Sequence, residues 1–108
     1  MTDLFAQPTD GKLTQLEGSS RRVVLHLPEL MLVEFTFEKN GIGALHSHPH
    51  IQSSYVAEGV FEVTIGAETR IVPTGGAFIV PSGVIHGVKA LAAGKLIDSF
   101  TPARDDFL

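Results

Sequence analysis

Three of the five histidines of this 108-residue chain stand within five residues, in LHSHPHIQ: His46, His48 and His50, with Gln52 following. Imidazole is the side chain best suited to hold a metal ion or to move a proton near neutral pH. At i and i+2 on a strand, His46 and His48 leave the same face about 6 to 7 Å apart along the backbone, which suits two ligands of one ion. Parity also puts His50 and Gln52 on that face, but Pro49 removes a backbone donor and bends the run, so parity alone does not rank His50. About thirty residues later GGAFIVPSGVIHGV places His86 just after Pro81 and Gly83. A Pro-x-Gly turn feeding a histidine at a strand start carries one more imidazole to a site built elsewhere. An isolated His-x-His pair is most simply two surface histidines; the second segment is what raises it to a candidate metal site. Cysteine is absent, so any metal here uses nitrogen and oxygen ligands.

The elements that must position these residues read as short strands. MLVEFTFE alternates, with Met31, Val33, Phe35 and Phe37 on one face and Glu34, Thr36 and Glu38 on the other, the period of a half-buried strand. Asn40-Gly41 then suits the positive φ angles of a tight hairpin turn. Phe61, Val63 and Ile65 alternate with Val60, Glu62 and Thr64 between Gly59 and Gly66, and these runs read together as hairpins. TRIVPTGGAFIVPSGVIHGVKA adds two further strands and KLIDSFTP a last one, each punctuated by glycine or proline. Strands at such short intervals, with no credible helix, predict an all-β sandwich or barrel. Met31, Phe35, Phe61, Ile65, Phe78 and Ile79 read as its packing residues, and isolated His26 as structural. Exposed apolar positions such as Leu32 read as a homodimer face. The tail ARDDFL, polar then apolar, either folds back over the barrel or frays.

Composition narrows the function classes. The length fits one domain, 1–108, with a barrel core over roughly 22–101. Eight basic residues face twelve acidic ones, a net charge of −4, and Arg21-Arg22 is the only adjacent basic pair; nucleic acid is not an expected partner. Apolar runs fall far short of the roughly 18 residues of a membrane helix, and MTDLFAQPTDGK lacks a basic segment followed by a hydrophobic one. A cytoplasmic protein without membrane contact is expected.

The two histidine segments together resemble the paired motifs of the cupins, small jelly-roll barrels also described as double-stranded β-helices. The first motif corresponds to His46, His48, Gln52 and Gly59, the second to Gly75, Pro81, Gly83, His86 and Ala90. Three departures stand out: Gly41 precedes His46 by one residue fewer than the pattern, its final asparagine is Ala90, and its glutamate ligand is Gln52. The resemblance implies a single divalent ion (zinc, nickel, manganese, iron or cobalt) on His46, His48, Gln52 and His86. A glutamine oxygen brings no negative charge, so such an ion keeps its full +2 and favours an anionic ligand.

HSHPHIQ, YVAEGVFEVTIG and the ending DSFTPARDDFL are similar to the small pectin-degradation cupins of the KdgF type. That likeness implies non-redox ring opening of 4,5-unsaturated uronate monosaccharides, released from pectin or alginate, to the linear 5-keto-4-deoxyuronate. It implies Asp98 and Arg104 as functional side chains and Phe100 as an apolar wall, with a small anionic sugar as partner. A buried carboxyl beside a developing oxyanion is suited to acid–base work. The planar fork of Arg104 matches a carboxylate, although Arg104 could equally pair with Asp105 or Asp106. Tyr55 and His50 are candidates for the substrate pocket. Two other readings stay open: a metal-dependent cupin dioxygenase, and a non-catalytic module that binds sugar acids.

Overall fold

Alternation of apolar and polar side chains sorts the chain into two facing antiparallel sheets, seen in a computed structural model that describes residues 3–108. Ten strands are found among them: β1 (Lys12–Leu16), β2 (Ser19–Leu27), β3 (Leu30–Phe37), β4 (Ile42–His46), β5 (Ile51–Glu58), β6 (Val60–Ile65), β7 (Glu68–Pro73), β8 (Ala77–Val80), β9 (His86–Ala90) and β10 (Gly94–Thr101). One sheet has the order β1-β2-β3-β10-β5-β8 and the other β4-β9-β6-β7. This is the expected all-β jelly roll. Its sheets begin at Lys12, earlier than the core expected from 22, and the segment from Thr69 to Ala90 forms three strands, β7 to β9, where two were expected.

The alternation in β3 and β6 holds. Met31, Val33, Phe37, Phe61 and Val63 are buried, and Phe37 meets Phe61 edge to face at 5.3 Å between ring centroids. Full burial of each such side chain stabilises by about 1.5–3 kcal/mol. The core divides into two clusters. Met31, Val33, Phe100 and Phe107 anchor one, Val56, Phe61, Val63 and Leu96 the other, and Phe35 packs against both.

Two turns differ from the expected hairpins. Asn40 does adopt a positive φ of 68°, but β3 and β4 lie in different sheets, so this turn is a crossover. Gly59, at φ 85°, likewise carries the chain from β5 in one sheet to β6 in the other. A Cβ there would sit 2.8 Å from the Ala93 carbonyl oxygen. The β6–β7 pair, turning at Gly66, is a true hairpin. The barrel needs both kinds of turn, because crossovers fold one sheet onto the other and open a cavity between them.

The C-terminal tail folds back. Asp105–Phe107 forms a short 3-10 helix, where no helix was expected, and Phe107 is buried against Phe35 and Phe100 at 6.2 and 5.8 Å between centroids. On the outer face of the six-stranded sheet, Leu32 is half-buried beside Ser99. Ile79 also faces outward at 63% exposure, against its expected place in the core, because β8 turns Phe78 and Val80 inward.

Candidate functional site

His46 ends β4 and His86 begins β9, where the register sets them directly opposite each other. Their rings lie 4.4 Å apart, and His48 in the following loop comes within 4.8 Å of His86 and 5.5 Å of His46. The loop is fixed by the turn that precedes His86: the Gly83 amide donates to the His48 carbonyl at 2.9 Å. Gly83 makes that turn with φ 78°, a conformation open to glycine. The Pro-x-Gly element thus positions two of the three imidazoles.

Each ring is oriented by a backbone carbonyl. Nδ1 of His46 donates to Ala44 at 2.7 Å, Nδ1 of His86 to Val84 at 2.9 Å, and Nδ1 of His48 to His50 at 3.0 Å. A carbonyl oxygen only accepts, so Nδ1 carries the hydrogen and each neutral ring keeps its lone pair on Nε2. Burial lowers the pKa of His48 and His86, favouring that neutral form. The three rings offer donor atoms that lie within 4.8 Å of one another, and Nε2 of His86 is buried without a hydrogen-bond partner among the described residues.

Gln52, the second residue of β5, faces the same space. Its amide nitrogen donates to the Ser54 hydroxyl at 3.0 Å and to Asp98 at 3.3 Å, which turns its oxygen to within 3.1 Å of His48 Nε2. Two lone pairs at that distance repel unless a cation lies between them. Together with the orphaned His86 nitrogen, this donor set of three imidazoles and one amide oxygen fits a divalent ion.

The remaining residues come mainly from the six-stranded sheet. Asp98 and Phe100, both inward on β10, stand in register with Ser54 and Gln52 on β5. Asp98 is 3% exposed. Burial pushes its carboxyl up to about 7, against opposing pulls from the Ser54 hydroxyl and the Arg104 charge. Its Oδ1 has no partner among the described residues. Phe100 walls the pocket, with its ring 5.7 Å from that of His48.

Arg104 also borders the pocket, but its Nε and one terminal nitrogen donate to Asp106 at 3.0 and 2.8 Å. That bidentate pair holds the Asp106 carboxyl below its ordinary range. Among the described residues, the cavity of about 320 Å³ that joins these groups is lined by His46, Gln52, His86, Asp98, Phe100 and Arg104, with Phe35, Phe37 and Leu96 as apolar walls. Such a volume lies at the small end of ligand sites and suits a monosaccharide.

Two expected pocket residues are placed differently. Tyr55 is 51% exposed on the outer face of the sheet, because three residues after inward Gln52 the alternation of β5 points it the other way. His50 does not line the cavity; it lies beside it, with its ring 5.4 Å from that of His48, and its carbonyl orients His48. Three other residues have structural roles that sequence reasoning did not single out: Arg21 and Phe107, which line the cavity, and Ser54, which holds the Gln52 amide. Arg21 shares a strand face with Val23, the signal that it points inward, but as half of Arg21-Arg22 it reads as solvated.

A family profile for the cupin domain matches residues 33–99, more than half of the chain. The chain belongs to the cupin family. Within it, the chain is 44% identical over 94 residues to the pectin degradation protein KdgF of Dickeya dadantii (strain 3937), a match spanning 85% of this chain and 86% of that protein. Among solved structures, KdgF from Halomonas sp. aligns at a TM-score of 0.92 and 36% identity, covering 99% of this chain and 100% of the other. An RmlC-like cupin from Shewanella frigidimarina aligns at 0.94 and 35%, covering 99% and 97%. This cupin is therefore a relative of pectin-degradation proteins, with a three-histidine cluster able to hold a metal ion.

Proposed function

We propose that this cupin opens the ring of 4,5-unsaturated uronate monosaccharides to give 5-keto-4-deoxyuronate without redox chemistry. The observation that carries the reading is the buried carboxyl of Asp98, which shares one monosaccharide-sized cavity with His46 and His86 of the histidine cluster and with Arg104. The similarity to pectin degradation proteins named KdgF supports the substrate class.

The reaction is an isomerisation, so protons balance. The anomeric hydroxyl loses a proton as C1 becomes a carbonyl and its bond to the ring oxygen breaks. The ring oxygen leaves as an enolate on C5, and a proton added at C4 yields the ketone. One group can serve both ends of that transfer if its pKa lies near the working pH. Burial raises the Asp98 carboxyl well above the usual carboxylate range in the metal-free protein, and its unpartnered Oδ1 is the atom for the transfer. A divalent ion on His46, His48, Gln52 and His86 would supply Lewis-acid stabilisation of the developing negative charge. Gln52 ties the two functions together, because its amide contacts His48 on one side and Asp98 on the other. Arg104 adds fixed positive charge, and Phe35, Phe37 and Phe100 exclude water, which strengthens each electrostatic contact.

The test is to add metal-loaded protein to freshly generated unsaturated uronate and follow loss of its ultraviolet absorbance. Decay well above the spontaneous rate is expected. Decay at the spontaneous rate overturns the reading; oxygen uptake would instead favour a dioxygenase, and binding without turnover a sugar-acid module.

A further inference from the structure

The pocket holds a second arginine whose charge nothing in the proposed mechanism uses. Arg21 stands on β2 opposite Phe35 of β3 and lines the cavity with Arg104 and Phe107. Both guanidinium groups pack on the Phe107 ring, Arg21 at 3.9 Å and Arg104 at 4.2 Å from its centroid. Their pairing differs. The Nε edge of Arg104 is already filled by the Asp106 carboxylate. Among the described residues Arg21 forms no ion pair within 4 Å, and its Nε is buried without a partner.

An unpaired guanidinium beside a like charge is costly to bury. Burial and Arg104 both act against the charged form of Arg21, while Asp106 only partly offsets them. Asp98 is the pocket's own acid, and it is engaged with the Gln52 amide. A carboxylate entering the cavity would supply the missing partner, and the planar fork of arginine matches one bidentately.

We propose that Arg21 is the residue that binds the substrate carboxylate and selects sugar acids over neutral sugars, while Arg104, held by Asp106, flanks it. This rests on the uronate reading above. The C-terminal tail is then part of the specificity site, since the Phe107 ring is the surface against which the Arg21 guanidinium packs.

The test uses a saturated hexuronate, D-galacturonate, which lacks the reactive double bond, and its neutral counterpart D-galactose. Calorimetric titration of metal-loaded protein should show wild type favouring galacturonate. Arg21→Gln should lose at least about tenfold in galacturonate affinity, the scale of a charged hydrogen-bonding pair, with galactose binding and metal content unchanged. Arg21→Lys, which keeps the charge and the apolar stem, should recover only part of the loss, and it stands as the test if the glutamine variant does not fold. With unsaturated uronate, KM should rise in Arg21→Gln while kcat stays within a few-fold.

Undiminished galacturonate binding in Arg21→Gln, with loss in Arg104→Gln, would give the carboxylate to Arg104 and overturn the proposal. A kcat defect at unchanged KM would overturn it as well. A wild type that does not distinguish the two sugars would remove both this inference and the uronate reading. Arg21-dependent galacturonate binding without ring opening would sustain the inference and remove only the reaction.

Discussion

Asp98 and Gln52 form the smallest unit that couples the two halves of the site, because one amide group contacts both an imidazole and the buried carboxyl. Asp98→Asn is expected to keep bound metal and to lose activity by at least about a hundredfold, the usual scale for a general acid–base group; elemental analysis alongside the ultraviolet assay checks it. The same variant reads out a stability effect in metal-free protein. A carboxyl raised from 3.8 to about 7 on folding binds its proton more tightly in the folded state, so wild-type stability falls as pH rises from about 4 to 7. Denaturant titrations should therefore show apo Asp98→Asn the more stable protein at pH 8, by on the order of a few kcal/mol at most, and no such advantage at pH 4. A pH-independent difference would contradict the buried-acid assignment. His48→Ala removes one of three imidazole donors and should abolish metal retention after dialysis; full occupancy in that variant would exclude His48 as a ligand. At this scale, the sequence pointed to His46 and His48 through its His-x-His motif, although β4 ends at His46 and the loop rather than a shared strand face brings His48 to it, and to His86 through the second motif. It did not reveal Arg21, whose inward direction depends on which face of β2 meets the second sheet. It also misplaced Tyr55, which the parity of inward Gln52 already excludes from the pocket.

Each sheet contributes a different chemistry to the cavity. The four-stranded sheet supplies His46 and His86 from adjacent strands, and the six-stranded sheet supplies Gln52, Asp98, Phe100 and Arg21. Their alignment depends on crossovers such as Gly59, where both backbone angle and space exclude a side chain. Gly59→Ala should cost roughly 1–3 kcal/mol, about 5 °C or more in Tm, measured by thermal unfolding of the apo protein. An unchanged Tm would show that the turn relaxes freely. The strands β3, β6 and β10 were legible because apolar and polar residues alternate cleanly in them. The crossovers were read as hairpins, because Asn40-Gly41 reports a local backbone angle and says nothing about which sheet the next strand joins. The direction of the tail is open in the sequence for a related reason: besides its neighbours Phe100 and Arg104, Phe107 packs against Arg21 and Phe35, contacts distant in sequence.

The whole molecule carries a net charge of −4, yet two guanidinium groups, Arg21 and Arg104, line the cavity together with His46 and His86. With the imidazoles neutral, the positive charge beside the cavity comes from the two arginines, and on the proposed function it would favour a small anion. The outer face of the six-stranded sheet has another character, with Ile97 and Tyr55 adjacent in one row and Leu32, Ser99, Ser53 and Ile79 in the next. A homodimer joined there is the expected assembly. Light scattering should return twice the 11.6 kDa chain mass, and Ile97→Arg should return the single mass with the cavity residues undisturbed; a monomeric wild type would exclude the assembly.

The central place of β10, between β3 and β5, bears on how the protein comes into being. β10 pairs with a strand far earlier in the chain, and pairings of such long sequence separation form late and slowly, in the millisecond-to-second range typical of high contact order. Asp98 and Phe100 enter the cavity only when that strand closes the sheet. The Asp98 carboxyl is therefore out of place in any state that lacks β10, and on the proposed reaction recovery of turnover during refolding would report insertion of a single strand.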